Sequence, residues 1–166
     1  HMISRAPSLL CALAAILAAC LPAFPAHANG VFPTAGQIVI DPSDPQHIVV
    51  RTTYGILTTR EAGEPWDWIC EGAVGYGGTF HPAVAVTADG TLIAGLSDGL
   101  AVAHADTCAW SKAAGPIDGA YVVDVSTEKN APSHAVAVTS SGVAGTSRFW
   151  SSDDDAVTWT QAGVDL

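Results

Sequence analysis

The side chains in this sequence that could do chemistry stand singly rather than in a recognisable set. Glu71, Asp98 and Asp118 are carboxylates placed among glycines and turn residues, and two carboxylates facing one sugar can cleave a glycosidic bond. His47, His81, His104 and His134 fall one to a segment, which favours turn or surface roles over a metal centre. The run Asp153-Asp154-Asp155 lacks the spaced oxygen ligands that a calcium ion takes. There is no GxSxG, no HExxH and no phosphate-binding loop. No catalytic residue, metal or cofactor is therefore expected. Tyr54, Tyr76, Phe80 and Tyr121 offer another chemistry, stacking on a sugar or a peptide side chain. Tyr76 and Phe80 interrupt the stretch Gly75-Tyr76-Gly77-Gly78-Thr79-Phe80, whose glycines permit tight backbone paths. For this pair, plugging a gap between structural units is favoured over ligand contact, since aromatic rings serve packing first.

The cysteines point to a compartment. His1 precedes the initiator-like Met2, and Arg5 supplies a short positive start. An apolar run of 13 residues follows from Leu9 to Leu21, then prolines and Ala26-His27-Ala28. This reads as a signal peptide over 1–28 with an A-x-A site before Asn29, because a membrane span needs about 20 apolar residues. The expected location is secreted or periplasmic. Leu17-Ala18-Ala19-Cys20 also looks like a bacterial lipobox, so lipidation at Cys20 is the alternative and the only route to a membrane. Cleavage after Ala28 leaves Cys70 and Cys108, which could form one disulfide in an oxidising space.

All 16 acidic residues follow the signal, against five basic ones, Arg51, Arg60, Lys112, Lys129 and Arg148. A mature chain so acidic disfavours nucleic acid and anionic membrane surfaces as partners. The partner class left open is a protein or a glycan.

These residues must be positioned by strands, since no stretch after Asn29 keeps a helical period. Apolar residues alternate at Ile38 and Ile40, at Val84 and Val86, and at Val136 and Val138, an all-β pattern with short strands. Three turns repeat: Thr53-Tyr54-Gly55-Ile56, Ser97-Asp98-Gly99-Leu100 and Ser140-Ser141-Gly142-Val143, with glycines 44 and 43 residues apart. Trp66 and Trp110 each follow their glycine by 11 residues, and Trp159 follows Gly142 by 17, the same unit with six residues inserted. A period of about 40–50 residues with four short strands is the mark of β-propeller blades. The expected strands A to D run 37–41, 47–53, 56–60 and 66–70 in blade one. They run 83–87, 91–96, 100–104 and 109–113 in blade two, and 121–126, 134–139, 146–151 and 157–161 in blade three. The domain reading is a lead-in over 29–36 and a partial propeller over 37–166, with blades at about 37–74, 81–114 and 120–163.

The segment from Ser152 to Trp159 resembles the Asp box, Ser-x-Asp-x-Gly-x-Thr-Trp. Ser152, Asp154, Thr158 and Trp159 match it, and Ala156 stands where glycine is usual. Blade one keeps Gly63 and Trp66 at the matching places, with Thr59 and Glu61 as chemical relatives, and blade two keeps little beyond Trp110. The chain is thus similar to Asp-box propellers such as sialidases, sortilin-type receptors and photosystem II assembly factors. The resemblance implies that the box is a structural hairpin between strands C and D, with Asp154 holding turn amides and Trp159 packed between strands. It also implies that D-to-A and B-to-C connections share the opposite, ligand-bearing face. That face would carry Glu71 to Phe80, Gly115 to Tyr121, and the turns at Tyr54, Asp98 and Ser141. The sialidase arginine motif at the first blade is absent. The reading is a non-catalytic scaffold that binds protein or glycan, with a part of a carbohydrate-active enzyme as the alternative. Propellers close with about 4–8 blades, so three blades need further blades or self-association to complete a ring.

Overall fold

The computed structural model describes residues 32–61, 65–105, 109–141 and 145–165. The expected signal, Cys20, Gly63, Cys108 and Gly142 lie outside them. Where apolar residues alternate, strands form. Blade one is β1 (Ala35–Ile40), β2 (Ile48–Thr52), β3 (Gly55–Thr59) and β4 (Asp67–Ile69). Blade two is β5 (Val84–Val86), β6 (Leu92–Leu96), β7 (Gly99–Ala103) and β8 (Ser111–Lys112). Blade three is β9 (Tyr121–Glu128), β10 (Ala131–Ser141), β11 (Thr146–Ser152) and β12 (Thr160–Ala162). Each set forms a four-stranded antiparallel sheet in chain order. The architecture is all-β, with sheets of propeller-blade type. Between β4 and β5 the chain makes one helical turn, α1 (Glu71–Val74), closed by Gly75 at φ 100°; a single turn is too short to leave a helical period in the sequence.

Strand ends differ from expectation by one or two residues, and two strand starts shift by three. The last strand was expected at 157–161 and starts at Thr160, because the turn before it uses the chain through Trp159. The second strand of blade three was expected at 134–139 and runs 131–141. Its extra length also relocates the insertion. Thr52 pairs with Gly55, Leu96 with Gly99, and Ser141 with Thr146. The residue of blade three matching Gly55 and Gly99 is therefore Thr146, not Gly142. Four of the six extra residues fall between those two positions, and two lengthen the run to Trp159. Gly55, at φ 131°, has no room for a side chain: a Cβ would lie 2.3 Å from the Ile69 carbonyl oxygen.

The blades stack through apolar faces. Val49 and Ile56 of blade one meet Val84, Val86, Ala94, Leu96 and Ala101 of blade two. On its other side blade two presents Ala85, Ile93, Leu100 and Val102 to Val122, Val125, Ala137 and Trp150 of blade three. All five residues of β7 are buried in consequence. Polar ties reinforce the stack. The Gln37 side chain donates to the Val84 carbonyl at 2.8 Å and accepts from the Val84 amide at 3.0 Å, acting as one extra rung between blades. The Ala88 amide donates to the Pro132 carbonyl at 3.0 Å across the second junction.

Close approach at that junction rests on a missing side chain. A Cβ on Gly95 would stand 2.7 Å from Val122 Cγ1. Gly95→Ala is therefore expected to lower stability by about 1–3 kcal/mol through overpacking, read as a lower urea midpoint at unchanged m. An unchanged midpoint would mean the two sheets slide apart freely.

Candidate functional site

Antiparallel connection of the strands puts the B–C turns and the two D–A connections on one face. Tyr54 lies in the first B–C turn, 40% exposed, and its carbonyl accepts the Trp68 indole at 2.9 Å. Glu71 opens α1, and its carbonyl accepts the amides of Gly75 and Tyr76. Tyr76 and Phe80 stand 6.5 Å apart by ring centroids, and Phe80 meets Tyr121 edge-on at 6.2 Å. The first two rings are half-buried against the apolar layer between blades one and two, as the packing expectation had it. Tyr121 stays 48% exposed. Asp98 and Asp118 share one corner. Lys112 pairs with Asp98 Oδ1 at 2.5 Å, and the Gly119 amide donates to the Asp98 carbonyl at 3.1 Å. Asp118 lies beside Gly99, 3.5 Å from where a Cβ would be. Both carboxylates are exposed. Tyr54 makes no ring contact with the aromatic row among the described residues.

Beside Tyr121 is a pocket of about 340 Å³, walled by Ser97, Thr139, Ser140, Ser141, Thr146 and Arg148. Gly119 and Ala120 complete the wall, and its serines, threonines and Tyr121 carry hydroxyls. Arg148 is held by Asp165 through Nε at 2.9 Å and Nη2 at 3.2 Å. Sequence reasoning placed Ser141 and Tyr121 on this face but missed Thr139, Thr146 and Arg148, which come from two strands whose register only the fold sets.

A larger cleft, about 760 Å³, opens on the other face between blades one and two. Its walls include His47, Thr58, Arg60, Asp67, His104 and Trp110. His47 was expected in a turn or at the surface, and it is 1% exposed. It is enclosed because it ties the first A–B turn together. Its Nδ1 pairs with Asp41 Oδ2 at 2.9 Å and its Nε2 with Thr58 Oγ1 at 3.2 Å, while Asp41 Oδ1 accepts the Ser43 and Asp44 amides. In blade two Asp89 does the same work, accepting from Thr87 and Thr91. Burial acts to raise the Asp89 pKa, but these hydrogen bonds outweigh it and hold the carboxyl below its ordinary value.

The segment Ser152 to Trp159 is a polar turn joining β11 to β12. Asp154 accepts the Thr158 amide at 2.9 Å and its hydroxyl at 2.6 Å, and Ser152 donates to Asp154 at 2.8 Å. The Thr158 hydroxyl, then its amide, holds the Asp154 carboxyl below the usual range. Ala156 sits at φ 67°, a left-handed position that favours glycine. Trp159 is buried, Trp110 half-buried, and Trp66 39% exposed. The three repeat tryptophans thus do not share one environment. Cys70 is an exposed free thiol, and its expected partner Cys108 lies outside the described residues.

Two polar groups on the first face lack partners. Arg51 Nε and the Tyr76 hydroxyl are enclosed without a hydrogen bond, each a cost of about 1–3 kcal/mol. Burial, then the charge of Glu71, pushes the Tyr76 pKa up to about 12, with Arg51 pulling the other way. Among the described residues, no group of three or more His, Cys, Asp or Glu is placed to hold a metal, and no helix is long and apolar enough to cross a membrane.

The fold has known counterparts. The chain is similar to the GH74 xyloglucanase from Xanthomonas campestris, with a TM-score of 0.52 at 18% identity over 76% of this chain and 21% of that one. It is also similar to an ancestral GH74 enzyme, with a TM-score of 0.55 at 14% identity over 78% and 20%. These enzymes are β-propellers, and at such identity the likeness shows the fold alone. The chain spans about a fifth of the length of either. No protein-family model and no curated protein matches the sequence.

The raised Tyr76 pKa makes a signed prediction. The folded state holds this proton more tightly than the unfolded one, so its contribution is intact below pH 10. It is lost as pH rises through about 12. Tyr76→Phe should flatten the fall in stability over that window in denaturant titrations. Equal slopes in both proteins would refute the assignment.

Proposed function

We propose that this chain is an exported propeller segment of the Asp-box kind that binds a glycan on its B–C and D–A face without cutting it. The carrying observation is the pocket that Tyr121 lines together with Ser97, Thr139, Ser140, Ser141 and Thr146, where the Ser141 and Thr146 hydroxyls bond each other at 2.8 Å and that of Thr139 accepts the Trp150 indole. An exposed ring edged by hydroxyl donors and acceptors suits a sugar, which has apolar C–H faces and a hydroxyl rim. A signal-like leader and a strongly acidic mature chain support action outside the cytoplasm. On this reading Tyr121→Ala lowers affinity about tenfold or more in glycan-array and affinity-gel measurements, with stability unchanged, as loss of a central aromatic anchor does. Failure of the unmodified protein to retain any glycan, or equal retention by the variant, would sink it.

A second reading, a segment of a carbohydrate-active enzyme, is favoured by the likeness to two GH74 structures. The local chemistry weighs against it. A glycosidase acid needs surroundings that raise its pKa, whereas Asp98 and Asp118 are exposed and Asp98 is paired with Lys112. Turnover of a fluorogenic glycoside panel, abolished by Asp98→Asn or Asp118→Asn, would establish catalysis. A flat panel excludes it for these substrates.

A further inference from the structure

Strand register orders the wall of the Tyr121 pocket. Thr139 pairs with Arg148, and Ser141 with Thr146. Side chains two apart on a strand share a face. This face of the β10–β11 hairpin therefore presents three hydroxyls and one guanidinium in a two-by-two array. Ser140 pairs with Tyr121 on the neighbouring strand. Of the residues that line the pocket, Arg148 alone carries a formal charge. Whether the pocket favours a charged or a neutral ligand is decided at that side chain.

Arg148 does not meet the pocket as a free cation. Its Nε donates to Asp165 Oδ1 at 2.9 Å and its Nη2 to Asp165 Oδ2 at 3.2 Å. That fork is the geometry in which a guanidinium takes the carboxylate of a ligand. Asp165 is itself braced, since the Gln161 side chain donates to its Oδ1 at 2.8 Å. The Arg148 hydrogen bonds hold the Asp165 carboxyl below its ordinary range, so it is ionised at neutral pH. The pair is exposed, at 47% and 41% by side chain, so it adds little stability. Its effect is on what else Arg148 can bind. The fork leaves Nη1 unused. A second carboxylate placed there would stand close to Asp165 in a chain of net charge −10, and like charges at such range repel. A sugar hydroxyl accepts from Nη1 without that penalty.

We propose that Asp165 makes this pocket a site for neutral sugars, by occupying the guanidinium edge that an acidic sugar would use and leaving Arg148 Nη1 to donate to a hydroxyl. The sugar rests on the glycan-binding reading above; its neutral class rests on the Arg148–Asp165 pair. Asp165 is not part of the pocket wall. It is a positioning residue that sets specificity through Arg148.

The test is calorimetric and affinity-gel binding of the full chain to cellotetraose, mannotetraose and galactotetraose, each beside the same sugar oxidised at C6 to the uronate. The unmodified protein is expected to bind a neutral sugar about tenfold or more tighter than its uronate, with little dependence on salt. Asp165 is exposed, so Asp165→Asn keeps the fold and frees the cation. It should strengthen uronate binding about tenfold, the gain that follows when a guanidinium edge becomes open to a carboxylate. It should weaken the neutral sugar about twofold to threefold as Arg148 loses its brace. Uronate binding by this variant should fall as salt rises. Adding Arg148→Met should erase the uronate gain, an outcome that a merely structural role for Asp165 does not give. A neutral-to-uronate ratio unmoved by Asp165→Asn, or a uronate preference in the unmodified protein, overturns the assignment while the glycan reading stands. Binding of no sugar by the unmodified protein and by Asp165→Asn alike sinks the glycan reading and this site with it.

Discussion

Blade two has protein on both sides of its sheet, and the positions of the other residues follow from that. Its strands present Val84, Val86, Ala94 and Ala101 to one neighbour and Ala85, Ile93, Leu100 and Val102 to the other. A fully buried valine, leucine or isoleucine contributes about 1.5–3 kcal/mol, so the two junctions carry most of the hydrophobic stabilisation. Many of the facing residues are small. Alanines, together with Gly95 against Val122, let the sheets come close enough to exclude water. Larger side chains on both faces of one sheet would separate the blades and open the layer that Tyr76 and Phe80 now seal.

Fixed blade spacing is also what assembles the polar sites. The A–B turns are tied by Asp41 in blade one and Asp89 in blade two, each a carboxylate accepting from its own turn. The C–D turn of blade three is tied by Asp154. These acids are engaged in structure and are not free for chemistry. With one end of each blade pinned this way, the opposite end can vary, and it carries the connections rich in glycine and aromatic residues. The Tyr121 pocket forms there because β9, β10 and β11 begin or end at one level beside the Ser97 turn.

Outer faces of blades one and three remain open among the described residues. Ile38 is 66% exposed and Trp68 61% on the first, and Val123 is 52% exposed on the last. A blade face is built to be covered by the next repeat. The same alternation that buries blade two leaves these faces exposed among the described residues.

The sequence by itself determined the strands. Apolar alternation and recurring Gly55, Gly99 and tryptophan positions give three four-stranded units. This was legible because period-2 patterning and turn glycines act over a few residues. It also located the acidic turn at Ser152 to Trp159 and the turn at Asp98. It placed the third B–C turn before Thr146, where the structure has it, but matched Gly142 to Gly55 and Gly99, whereas the pairing of Ser141 with Thr146 makes Thr146 their counterpart. It gave His47 a turn or surface role, and the residue does tie a turn, but its enclosure depends on Asp41 and on Thr58 of another strand. Arg51 was one basic residue among five until the fold laid its guanidinium on Gly36 and enclosed its Nε without a partner. Local chemistry can be read along a chain. Which groups are left unpaired depends on what distant segments bring beside them, and the tertiary structure alone decides that.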